Sequence, residues 1–128
     1  MYPISLGARF MTVDPFTDRL AKVRHRFVSS LEGKIEDAFG AVAKLSAVAP
    51  EAAATVGEAY RCMHGIVGIG PTVGFPSTGR AAREVEDVLR SPYHDGRGLT
   101  SQEAALFMQR LDALREVAAR ELQSFSSG

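Results

Sequence analysis

The chain has 128 residues and a mass of 13.8 kDa, enough for one hydrophobic core that buries about two-thirds of the unfolded surface without disulfides or a structural metal. Fifteen Lys+Arg balance fifteen Asp+Glu, which argues against broad electrostatic adhesion to nucleic acid or an anionic membrane. A single cysteine, Cys62, excludes an internal disulfide and every multi-cysteine zinc pattern, and no apolar run approaches the roughly 20 residues of a membrane span.

Residues 1–13 read as an irregular extension without the charged, apolar and small-residue order of a secretory signal, so a reducing cytoplasm is the expected home. Phe10 and Met11 in this extension are candidates to cover one end of the core or to meet a partner. Asp14-Pro15 has the form of an N-cap followed by proline in the first helical position. From there Phe16, Leu20, Val23, Phe27, Leu31, Ile35, Phe39, Val42 and Leu45 recur at spacings of three and four. This is one apolar stripe of a long helix, with Gly33 or Gly40 as the places to break it. Arg19, Lys22, Arg24, Arg26, Glu32, Lys34 and Glu36 fill the solvated face.

A second helix is expected from Ala49-Pro50 to the Val67–Gly70 region, where Pro71 lacks an amide proton and must end or bend it. VGIGPTVGF is the one stretch in which strand and helix compete. A third helix follows Phe75-Pro76, with Ala81, Ala82, Val85, Val88 and Leu89 inward, and SPYHDGRG (91–98) has loop composition. Thr100 and Glu103 form a capping box for the last helix, whose stripe is Ala104, Phe107, Leu111, Leu114, Ala118 and Leu122. Glu116 and Arg120 add an i,i+4 pair on its surface. Residues 126–128 read as a frayed tail. The alanine-rich composition and the four amphipathic helices together predict an all-α, antiparallel up-down four-helix bundle over residues 14–125.

On a helical wheel of the second helix, Cys62, Met63 and Ile66 fall inward and His64 lies about 140° from the centre of that cluster. The imidazole therefore points to solvent, near Gly57, Arg61, Gly65 and Gly68. Each glycine inside a helix costs about 1 kcal/mol relative to alanine. An exposed face carrying three of them suggests access: another surface can come close to the imidazole. An exposed imidazole with no carboxylate or cysteine spaced to partner it makes a poor hydrolase or metal site, and His25 and His94 lie far off in a solvated face and a loop. No Walker, GxSxG or dinucleotide fingerprint is present, which leaves a kinase without its nucleotide site. What an isolated exposed imidazole does well is attack an activated phosphoryl group with a neutral ring nitrogen. Arg61, one turn back, is a candidate to balance the phosphoryl charge.

The run His64-Gly65-Ile66-Val67-Gly68, then Ile69-Gly70-Pro71-Thr72-Val73-Gly74-Phe75-Pro76, then RAAREVEDVL, resembles the histidine-containing phosphotransfer (HPt) domain of two-component phosphorelays. The resemblance covers residues 14–125 in helix order and is specific over residues 60–90. It implies a four-helix bundle in which His64 accepts a phosphoryl group from a receiver-domain aspartyl phosphate or a sensor histidine kinase and passes it to another receiver. Such a chain is a phosphocarrier in signal transduction rather than a kinase. Gly68 then corresponds to the glycine that admits a response-regulator receiver domain, with Gly57 and Gly65 as further docking clearance. Gly74 matches the later glycine, and Glu84–Asp87 the acidic part of the following helix. Val67 stands where the family usually has lysine. Partners implied are a receiver domain and a sensor kinase, with no nucleic acid and no membrane; no cofactor or metal is implied for this chain, the divalent metal belonging to the receiver. The alternative is an HPt-like docking or inhibitory module, impaired in transfer by Val67.

Overall fold

A computed structural model describes residues 15–127, so Asp14, Phe10, Met11 and the rest of the expected extension 1–13 lie outside the described residues, as does Gly128. The architecture is all-α. Helix α1 spans Pro15–Gly40, a one-turn α2 spans Val42–Leu45, α3 spans Ala52–Ile69, α4 spans Pro76–Asp95 and α5 spans Ser101–Ser127. The four long helices pack antiparallel, with α3 against α4, α4 against α5, and α1 against α5.

The apolar stripes of the sequence supply the core. Phe27, Leu31 and Ile35 of α1 meet Val56, Met63 and Ile66 of α3, Val85 and Leu89 of α4, and Phe107, Leu111 and Leu114 of α5. Each of these larger side chains, wholly buried, contributes roughly 1.5–3 kcal/mol of transfer free energy. The first stripe does break at Gly40 rather than Gly33, and α2 carries it on to Leu45, which is fully buried. Phe16, counted in that stripe, is 63% exposed, because it stands in the first turn of α1, ahead of the buried stretch that begins at Phe27.

Two boundaries differ from the sequence reading, while α3 ends at Ile69, within the Val67–Gly70 region expected for it. Helix α3 begins at Ala52, not at Ala49-Pro50. The ambiguous VGIGPTVGF ends α3 and then forms a 3-10 turn over Pro71–Val73, closed by Gly74 at φ +98°, a left-handed geometry that favours glycine. Residues 91–95, expected as loop, complete α4 with Pro92 buried inside it. That helix closes at Gly96, φ +64°, where the Arg97 amide donates to the Pro92 carbonyl at 3.0 Å. This six-to-one closure satisfies the carbonyls of the last turn.

The ends of the bundle are tied by specific bonds. The capping box is present: the Thr100 amide donates to Glu103 at 2.9 Å and the Glu103 amide to the Thr100 hydroxyl at 3.1 Å. Helix α4 has no cap of its own at Phe75. Instead Glu121 of α5 accepts from the Ser77 amide at 3.0 Å, the Thr78 amide at 2.6 Å and the Thr78 hydroxyl at 2.7 Å. A carboxylate thereby meets the positive end of the helix dipole. Burial pushes the Glu121 carboxyl up, but the hydrogen bonds from Thr78 and Ser77 together outweigh it and hold the group below its ordinary value. Helix α5 continues through Ser127, so the tail expected from residue 126 is helical to that point. Phe125 packs against Phe75 with ring centroids 5.4 Å apart.

Candidate functional site

Helix α3 buries Val56, Met63 and Ile66, and that phase turns His64 outward: its side chain is 71% exposed. The outward orientation read from the wheel is the one found. The neighbouring helix supplies what α3 alone does not. Glu86 of α4 is 2% exposed, and its Oε2 lies 2.5 Å from His64 Nδ1. A carboxylate accepts, so Nδ1–H donates to it. In the neutral ring this places the lone pair on Nε2, at the free edge of the imidazole. The expectation that no carboxylate partners His64 is therefore corrected: the partner comes from 22 residues further along the chain.

A short aromatic ladder flanks the pair. Tyr60, one turn before His64, lies nearly parallel to the imidazole (centroids 6.1 Å apart, 11° between planes). Tyr93 of α4 stacks on Tyr60 at 4.2 Å and 8°. Arg90, one turn beyond Glu86, has its pKa raised, first by the Tyr60 hydroxyl and next by Asp87. Its Nη1 is 2.8 Å from Asp87 and its Nη2 4.0 Å from Glu86. The acidic stretch of α4 is thus divided: Glu84 bonds Arg110 of α5, Asp87 holds Arg90, and Glu86 faces His64.

The other anticipated residues separate. Gly65 and Gly68 are open, since a Cβ added at either meets nothing within 4 Å. Gly57 is buried instead. Arg61 turns toward the start of α3 and lays its guanidinium over Gly57, with Nη1 3.3 Å from the position of a Cβ there. Gly57 therefore accommodates Arg61 rather than a partner, and Arg61 is drawn away from His64. Val67 is half-buried against the core and offers no charge. Cys62 lines a cavity of about 220 Å³ beside Lys34 and Asp37. Burial pushes its thiol up, Lys34 lowers it and Asp37 raises it further. His25 is exposed, its carbonyl accepting from the Ser29 hydroxyl, and His94 lies beside Tyr93.

Among the described residues no group of three or more His, Cys, Asp and Glu side chains is placed to hold a metal ion, and no helix is long and apolar enough to cross a membrane. The residue missed by sequence reasoning is Glu86. Its signal was a carboxylate on the inward flank of an arc formed by Ala82, Val85 and Leu89, a place where charge is rarely left unpaired. Comparisons with protein-family models, with curated proteins and with solved structures find no match to this chain.

Proposed function

We propose that this chain is a histidine phosphotransfer module of a two-component phosphorelay, with His64 as the phosphoryl acceptor. The observation that carries the reading is the polarised imidazole: Nδ1 is fixed by the buried Glu86 at 2.5 Å while the His64 side chain is 71% exposed, on a helix whose Gly65 and Gly68 are open. The Nε2 lone pair attacks the phosphorus of an aspartyl phosphate held by a receiver domain. The N–P bond forms as the acyl P–O bond breaks, and its electron pair leaves on the aspartate oxygen. The ring gains positive charge, which the adjacent Glu86 carboxylate stabilises in place. Reversal onto a second receiver regenerates the neutral ring. The divalent metal of this reaction belongs to the receiver, and the setting is the cytoplasm, with a sensor histidine kinase as the alternative donor.

The test is phosphotransfer from isolated receiver domains phosphorylated in the presence of magnesium, comparing wild type with His64→Gln. Acid-labile, base-stable phosphate on wild type alone is expected. A second reading, a docking or inhibitory module, is favoured by the uncharged, half-buried Val67 next to His64. Receiver binding that survives His64→Ala, with no label on wild type from any receiver or kinase, would establish it in place of transfer.

A further inference from the structure

We infer that Arg83 of α4 is the cation that holds the phosphoryl oxygens on His64, in the place left uncharged by Val67; this rests on the phosphotransfer reading above.

The argument is one of register between two antiparallel helices. His64 meets Glu86. One turn earlier on α3, Tyr60 stacks on Tyr93, two turns after Glu86 on α4, with ring centroids 4.2 Å apart. At the far end, the Cβ position of Gly79 falls 2.9 Å from the Pro71 Cδ and 3.6 Å from the Val67 carbonyl oxygen. Between these fixed points, one turn after His64 on α3 brings Val67, and one turn before Glu86 on α4 brings Arg83. Ala82 next to it is buried and Arg83 is exposed. Its long side chain therefore rises at the open edge of the same seam, about 5 Å along the helix from Glu86.

The other cations near this seam are committed elsewhere. Arg61 lies over Gly57, Arg90 is held by Asp87 at 2.8 Å, and Arg80 donates to the Ser77 hydroxyl at 3.0 Å. Lys34 lines the cavity beside Cys62 and Asp37. Arg83 has no ion pair or hydrogen bond among the described residues. A guanidinium with free donors is well matched to two phosphoryl oxygens at once.

The experiment uses potassium phosphoramidate, a small donor that needs no partner protein, and follows phosphohistidine by phosphorus NMR in wild type, Arg83→Ala, Arg83→Lys, Arg61→Ala and Val67→Lys/Arg83→Ala. Arg83→Ala should slow labelling about tenfold, the loss expected for one charge-assisted contact, with an unchanged unfolding midpoint because the side chain is exposed. Arg83→Lys should keep most of the rate, and lysine at position 67 should restore it to the alanine variant. Wild-type labelling rates in Arg83→Ala, or a tenfold loss in Arg61→Ala instead, overturn this assignment and leave the phosphotransfer reading standing. A wild type labelled by neither phosphoramidate nor receivers overturns both.

Discussion

Removing a surface histidine normally shifts stability by no more than about 0.5 kcal/mol, yet His64→Ala should cost more, because the loss falls on its partner. His64 is 71% exposed, so truncating it uncovers little apolar area, but the Glu86 side chain is 3% exposed and loses its 2.5 Å donor. A buried polar group left without a partner costs about 1–3 kcal/mol, and a charged one more. Arg90 Nη2 remains 4.0 Å from the other oxygen, which offsets part of this and brings the expectation to about 1–2 kcal/mol. For a domain of this size that is a fall of about 4–8 °C in Tm. Urea unfolding at pH 7 and 25 °C gives the free energy directly. In the double variant His64→Ala/Glu86→Met an apolar side chain of similar length replaces the carboxylate, and at least half of the loss should return. A single variant within about 0.5 kcal/mol of wild type, or a double variant worse than both singles together, would refute the buried-partner argument.

Glycine positions should divide sharply by packing. Gly98→Ala places a methyl 2.6 Å from the Ala52 Cβ and 2.7 Å from the Leu45 carbonyl oxygen, so thermal melts should show a loss of about 1–3 kcal/mol. Gly68→Ala meets nothing within 4 Å and should gain up to about 1 kcal/mol of helix propensity; equal effects at the two sites would contradict the packing account. Hydrogen bonding by Arg97 and Thr100 lowers the Glu103 carboxyl from 4.5 to about 2. Its contribution is therefore whole above about pH 4.5 and lost as pH falls toward 2. Urea titrations between pH 6 and pH 2 should show a shallower decline for Glu103→Gln than for wild type, and parallel curves would count against it. Glu121→Ala should cost about 1–2 kcal/mol as a lost helix cap and speed amide exchange at Ser77 and Thr78, whereas wild-type exchange there would show that α4 does not depend on this carboxylate.

What the sequence made legible is what operates within one helix. The stripe from Phe27 to Leu45, the Thr100–Glu103 box and the outward phase of His64 all follow from spacing along a single segment. The misreadings arise where another segment decides. Pro92 looked like a loop residue by composition, but it is buried and followed by the left-handed Gly96, which together let α4 run on to Asp95. Arg61 shares the outer side of α3 with His64, yet the groove at Gly57 draws its guanidinium the other way. The inward flank of α4 marks Glu86 as a carboxylate in want of a partner, but only the crossing of α4 with α3 and α5 shows which groups Glu86 and Glu121 meet. Such inter-helix register depends on how three helices pack together, and no local pattern encodes it.

The stack of Tyr93, Tyr60 and His64 has a spectroscopic corollary. The chain contains no tryptophan and three tyrosines, and two of those three form the ladder beside the imidazole. Ultraviolet emission from the native protein therefore arises largely next to His64, where a change in ring charge alters tyrosine quenching. The molecule carries its own optical reporter at that position, so a change in the charge of the imidazole is readable from tyrosine emission without a label.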